Sequence, residues 1–327
     1  MTRPVPLLLL ALAIAIPLSL LAGRVWLDPW ATPNAALILG ELRLPRAMLA
    51  VTIGGGLGAA GAAMQGYLRN PLADPGLFGI APGAALGAVL SLLLGPTTFS
   101  WAASGWLLPL FALAGAGGAM LLLALIAGQT ADGRGGGIAL FTLAGMMIAS
   151  LAGALTSLAI SLAPNAFATS EIVVWLMGAL TDRGWPDVWL AAPLTLAGLV
   201  VLRLAGRGLD ALTLGEAAAR SLGVSPGRLQ ALLVAGVGLA VGSGVAVAGV
   251  IGFVGLMVPH LVRPLTDRRP SSLIVPSALA GALLVLVADC LCRILPLVTE
   301  LRLGIALSLI GAPFFLHLLL KLRRQTP

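Results

Sequence analysis

Between Val5 and Ala22 the chain runs without one charged side chain, and comparable runs recur almost to its C-terminal end. A helix needs about 20 predominantly apolar residues to cross the hydrocarbon of a bilayer. Ten stretches approach that description: Val5–Ala22, Ala47–Tyr67, Leu77–Leu94, Leu107–Ala127, Ile138–Leu162, Val188–Leu204, Leu229–Ala248, Phe253–Leu265, Leu273–Leu291 and Leu303–Leu320. Phe253–Leu265 is short, and Ile172–Leu180 reads as a further half-span. Barrel strands would alternate polar and apolar residues, and these runs do not. The expected class is all-α: a polytopic membrane protein with about ten transmembrane helices in a single transmembrane domain, 1–327. Only 9% of the residues are charged, against about 25% in soluble domains. The apolar N-terminus could pass for a signal peptide, but a retained first span is expected ahead of so many others.

The charges that remain set an orientation. With both termini in the cytoplasm, the inner segments carry Arg3, Arg69, Arg134, Arg203, Arg207, Arg220, Arg228, Arg263, Arg268, Arg269, Lys321, Arg323 and Arg324. The outer ones carry Arg24, Arg43, Arg46, Arg183, Arg293 and Arg302. Thirteen against six favours this arrangement under the positive-inside rule. The net charge of +7 therefore reads as topology, and no nucleic-acid partner is expected.

Catalytic groups are sparse. The single lysine, Lys321, lies in the C-terminal tail, so no phosphate-binding loop of the Walker type exists here. His260 and His317 have no carboxylate nearby in sequence, and Cys290 and Cys292 lack further Cys or His to complete a metal site. Gly56-Leu57-Gly58-Ala59-Ala60-Gly61 matches a dinucleotide fingerprint in letters only, because no strand precedes it; small residues at this spacing serve close helix packing in lipid. No catalytic residue, metal site or cofactor is expected. Asp289 is the one carboxylate expected at membrane depth, with Arg293 four residues on as its local ion-pair partner.

One polar stretch stands between two apolar runs: "LTLGEAAARSLGVSP", Leu212 to Pro226. Glu216 and Arg220 form an i,i+4 pair in the favourable order, and Leu214, Ala218 and Leu222 can share one face. Gly223 suits the helix stop and Pro226 prevents continuation. Two turns are too short to persist alone in water, so they need something to pack against.

Five stretches together resemble the FecCD family of ABC importer permeases: "LRLPRAMLA" from Leu42, "MQGYLRNPLADPGLFGIAPGAALG" from Met64, "LTLGEAAARSLGVSP" from Leu212, "AVAGVIGFVGLMVPHLVR" from Ala246 and "GAPFFLHLLLK" from Gly311. The motifs are most similar to those of the members that carry vitamin B12. The resemblance implies a type II importer architecture in the bacterial inner membrane: a homodimer of ten-helix subunits, two ATP-binding subunits below and a periplasmic binding protein above. ATP and Mg then belong to the partner ATPase, not to this chain, which is not an enzyme. It also implies a coupling helix within 210–228, with Leu214, Gly215, Glu216, Ala218, Arg220, Leu222 and Gly223 engaging the ATPase. Arg43, Arg46 and Arg293 match positions that meet glutamates of the binding protein. Asn70 and Leu72 match a cytoplasmic gate, with Ile138 and Ala139 at a second gate position, where the preceding loop has glycines in place of small polar residues. The implied cargo is a metal chelate, a ferric siderophore, haem or cobalamin, with iron chelates the commonest in the family. The alternative is an ion-coupled secondary transporter of a small solute, against which stands the shortage of buried acids.

Overall fold

The computed structural model describes residues 4–98, 106–128 and 137–323, and among these no strand occurs. Arg3, Arg134 and Arg324, and the loop before Gly137, lie outside the described residues. The helices are α1 (Pro4–Leu21), α2 (Leu44–Leu68), α3 (Ile80–Thr98), α4 (Leu107–Gly128), α5 (Gly137–Ser161), α6 (Ala166–Leu176), α7 (Trp185–Leu212), α8 (Glu216–Ser221), α9 (Pro226–Ala248), α10 (Val254–Val262), α11 (Pro270–Ile294) and α12 (Leu303–Arg323). Among the described residues eight helical segments are long and apolar enough to cross a membrane, and α3, α6 and the α10 region are shorter apolar helices.

Every expected span corresponds to a helix, and the differences have physical causes. Counting apolar residues ends the sixth span at Leu204, but α7 continues through Arg207 and Asp210 to Leu212. A helix need not stop where its surroundings change from lipid to water. The half-span expected at Ile172–Leu180 starts instead at Ala166, because the Asn165 side chain accepts the Ala168 N–H at 2.9 Å and caps the first turn. The helix from Val254 tightens to a 3₁₀ turn at Arg263–Leu265, where Pro264 supplies no N–H for an α-helical bond.

Helix α2 is the buried axis of the bundle. It packs on α11, α7, α10 and α9, and its run from Ile53 to Gln65 is buried throughout. Gly54 faces the Gly281 backbone, Gly58 faces Ser277 and Gly61 faces Gly255, each so close that a Cβ would run into a carbonyl. The glycine fingerprint is thus a helix-packing stripe. Away from this axis the surface is apolar. Leu7, Leu10, Leu196 and Leu204 are all exposed, as expected of side chains that face lipid.

Ahead of α2, Ala35–Leu37 runs into a π-helical turn over Ile38–Arg43. The wider turn leaves the Gly40 carbonyl to accept the Trp185 Nε1–H at 3.0 Å. The adjoining segment carries Arg43 and Arg46.

Gly61→Ala should cost about 1–3 kcal/mol, because a methyl group has no room against Gly255. Gly117→Ala on α4, where nothing lies within 4 Å of the added carbon, should be neutral or stabilising. Thermal unfolding of the two variants in one detergent measures the contrast.

Candidate functional site

The two ends of α2 are separated by about 36 Å at 1.5 Å per residue, and each end carries its own polar constellation. At one end stands α8, between two glycines with positive φ, Gly215 (φ 99°) and Gly223 (φ 82°). Gly223 N–H donates to the Arg220 carbonyl at 2.9 Å and Val224 N–H to the Ala219 carbonyl at 3.0 Å. Both bonds together make the Schellman stop expected of that glycine. Ser225 caps α9 by accepting the Arg228 N–H. Glu216 and Arg220 approach to 3.9 Å, a loose pair at the surface and worth little to stability.

The side chains of this peg sort into two directions. Ala219 is buried, whereas Leu214 and Leu222 are 67% and 63% exposed and Ala218 is half-buried. The apolar row of Leu214, Ala218 and Leu222 is therefore largely unburied, and the bundle receives Ala219 instead. On its other side the Glu216 carboxylate abuts the backbone of Gly137, the first residue of α5. A Cβ built on Gly137 would lie 3.0 Å from Glu216 Oε2. Ile138 and Ala139 follow directly. Ile138 is half-buried and Ala139 exposed.

The other gate segment meets α5 one turn later. Asn70 Oδ1 accepts the Leu72 N–H at 2.9 Å, and Asp74 Oδ1 accepts the Gly76 N–H at 2.7 Å. These two Asx turns fix the path through the prolines. Burial pushes the Asp74 carboxyl above the ordinary carboxylate range, opposed by its Gly76 hydrogen bond. Beyond it Phe78 lies 5.2 Å from Phe141 of α5, and Phe141 stands edge-on to Tyr67 of α2 at 5.2 Å. Three rings thus join the end of α2, the turn after Asn70–Leu72, and the start of α5. Gln65 adds a polar tie: its Nε2 donates to the Gly255 and Leu256 carbonyls (3.3 and 3.2 Å), and its Oε1 accepts from Arg263 Nη2 at 2.9 Å.

At the far end of α2, Arg46 binds Asp289 through Nε (3.0 Å) and Nη2 (2.8 Å) and also binds Glu300. Asp289, 1% exposed, lies 3.1 Å from Arg293 Nε as well. Two guanidiniums thus share one buried carboxylate. Arg293 also donates to the Ser19 and Ala22 carbonyls (3.2 and 3.3 Å) and so ties α11 to α1. Arg43 is bound only to backbone, donating to the Leu20 carbonyl at 2.7 Å and the Val25 carbonyl at 3.4 Å. A cavity of about 450 Å³ opens here, lined by Arg24, Arg43, Arg46, Arg293 and Glu300 among others. The three arginines expected to meet a binding protein are therefore together, but Arg46 and Arg293 are already paired within the chain.

Sequence reasoning identified the Asp289–Arg293 pair but not Arg46 and Glu300 as its continuation, since those partners lie 243 and 254 residues from Arg46 along the chain. Nor did it find the ring cluster. The aromatic scarcity of the chain, 5% of residues, was a usable signal, because three of those few rings lie within fifteen positions of the two gate segments.

Comparison with known proteins gives concordant matches. The sequence pattern of the FecCD transport family matches residues 9–321. The vitamin B12 import system permease protein BtuC of Escherichia coli O9:H4 (strain HS) is 38% identical over 319 residues, spanning 95% of this chain and 93% of that protein. BtuC of Serratia proteamaculans (strain 568) is 38% identical over 98% of this chain and 93% of its own length. A solved inward-facing structure of an ABC transporter assigned to the metal-chelate type superposes with a TM-score of 0.87 at 31% identity, covering 98% of this chain and 100% of that one. PsaBC from Streptococcus pneumoniae, solved with a Fab, shares the fold at a TM-score of 0.51 and 20% identity, over 83% of this chain and 88% of its own.

Asp289→Asn should leave Arg293 buried without a counter-charge and cost about 3 kcal/mol or more. Arg43→Gln, which loses only backbone bonds, should cost about 1 kcal/mol or less. Unfolding of the two variants in detergent separates them.

Proposed function

The chain belongs to the FecCD transport family and is the permease subunit of an ABC importer, and we propose that its cargo is a metal chelate of the vitamin B12 class, passed between two copies of this chain. The cargo class rests on the BtuC relatives at 37–38% identity. It is a multi-pass membrane protein; in the proposed setting it lies in the bacterial inner membrane with both termini cytoplasmic. Hydrolysis of ATP with Mg is assigned to two separate ATP-binding subunits, and this chain contributes no cofactor of its own.

One observation carries the coupling assignment: a capped peg presents Leu214 and Leu222 outward while its Glu216 carboxylate abuts the first residue of α5. Two exposed leucines flanking a six-residue helix suit a docking knob, since burying each in a partner cleft contributes about 1.5–3 kcal/mol. Ala219, buried against the bundle, sets the knob's rotation, and Gly215 and Gly223 supply its ends. When the ATPases close, the peg is displaced, and Glu216 transmits that displacement to Gly137 and so to Ile138 and Ala139. Phe141, Phe78 and Tyr67 carry the same displacement to the turn holding Asn70 and Leu72. The two gate segments then move as one unit, as two-state elements in packed interiors do. Apolar walls beyond them, such as Leu143, Met147 and Leu151 along α5, let a bulky chelate pass without binding it tightly.

At the far end the proposed binding-protein dock is Arg43, Arg46 and Arg293. Arg43 exchanges backbone carbonyls for an incoming glutamate. Arg46 and Arg293, held on Asp289 and Glu300, keep the cavity rim positive and steer the approach of an acidic surface.

Leu214→Asp with Leu222→Asp should abolish stimulation of the partner ATPase by loaded binding protein and lower uptake into proteoliposomes at least about tenfold; undiminished transport rejects the coupling assignment. Arg43→Glu leaves the Asp289 cluster intact and should weaken docking of the loaded binding protein by about tenfold, measured on nanodiscs; unchanged affinity rejects the dock. ATPase stimulation by binding protein loaded in turn with cobalamin, haem and a ferric siderophore identifies the cargo.

A further inference from the structure

A second cavity, about 230 Å³, opens at the α8 end of the bundle between the C-terminus of α2 and the N-terminus of α11. Arg69, Arg263 and Arg268 line it beside Gln65, Thr213 and Leu273, and no carboxylate does. Among the described residues none of the three guanidiniums lies within 4 Å of an acid. The acids on the segments around it are engaged elsewhere: Asp74, five residues after Arg69, accepts the Gly76 N–H at 2.7 Å. Asp210 accepts Ser271 N–H at 2.9 Å and Ser271 Oγ–H at 2.6 Å, and Asp267 binds Ser272 Oγ and the Arg269 N–H. Arg263 reaches only the neutral Gln65 Oε1, and its Nε is buried with no hydrogen-bond partner.

The backbone adds an independent sign. Arg69 closes α2 at φ 51° and Arg268 sits at φ 63°, left-handed positions that ordinarily fall to glycine or asparagine. Arginine at both is unfavourable for the fold alone. Such strain gathers where a side chain is needed for a task.

Three like charges lining one cavity without a counter-charge favour an anion there, and planar guanidinium forks fit the oxygens of a phosphate better than a point charge does. Leu273 forms an apolar wall of the same cavity, and Leu265, two residues after Arg263 in the chain, is exposed, so one of the three arginines is followed by apolar surface of the kind that faces acyl chains. Basic pockets between transmembrane helices are general receptors for anionic headgroups. We propose that this cavity binds a phosphate group, held by Arg69, Arg263 and Arg268 against the turn that enters α8.

The test uses the full-length protein, delipidated in an uncharged detergent, with native mass spectrometry reading bound phosphatidylglycerol, phosphatidylcholine and inorganic phosphate in separate titrations. Arg69→Gln with Arg268→Gln keeps both left-handed positions non-glycine and alters only exposed side chains, so the fold should stand. Phosphatidylglycerol should bind the wild type, and the double variant should bind it at least about tenfold more weakly, as expected for lost charge-assisted hydrogen bonds. Arg207→Gln, which removes one exposed charge away from the cavity, should not change binding. Retention of phosphatidylglycerol in excess inorganic phosphate identifies the lipid as the source. Displacement by inorganic phosphate, with the same loss in the double variant, identifies a soluble phosphate. Equal binding by the double variant and the wild type overturns the proposal, as does equal weakening by Arg207→Gln, equal affinity for phosphatidylcholine, or no binding of either phosphate source.

Discussion

Helices surrounded by lipid gain nothing by hiding apolar surface from one another, so this bundle depends on how closely its backbones approach. Helix α2 supplies that approach. Its glycines let α10 and α11 come to backbone contact on one side and α9 on the other, where the Thr195 methyl of α7 also packs. Large side chains would have spread these helices apart, and both the Asn70–Leu72 turn at its end and the arginines at its start would have lost their positions. The axis is also rigid: tight packing on four neighbours leaves it few ways to bend. A rigid axis with a polar constellation at each end gives movement at one end a path to the other.

The far-end cluster follows a different logic. A carboxylate buried among helix ends is costly unless fully compensated, and Asp289 is compensated twice, by Arg46 from α2 and Arg293 from α11. Arg293 extends the tie to α1 through two carbonyls. Three helices are thus tied together through Asp289 and its two arginines at the level where the arginine-lined cavity opens. Positive charge remains in excess around that cavity even after the internal pairs are counted, because Arg24 and Arg43 contribute without acids of their own.

The spans were legible because the requirement that makes them, some twenty apolar residues, is local and one-dimensional. The helix stop at Gly223 was legible for the same reason: a single residue's φ decides it. The π turn over Ile38–Arg43 was not, since nothing in "ILGELR" distinguishes it from an α-helix, and the Trp185 indole that satisfies its extra carbonyl comes from 145 residues away. The face of α8 was legible only in part. Spacing grouped Leu214 with Ala218 and Leu222, but which face the bundle takes depends on α7 and α9, and it takes Ala219. The same limit hid Glu300 as a partner of Arg46.

The glycines at the two ends of α8 have a consequence of their own. Neither Gly215 nor Gly223 has a neighbouring element within 4 Å of where a side chain would begin, and backbone hydrogen bonds hold both, Gly215 N–H on the Leu212 carbonyl and Gly223 N–H on the Arg220 carbonyl. The turn is thus tied at both ends yet bare around them, so a force applied to it would pass into α7 and α9 through backbone and would not be absorbed by side-chain packing.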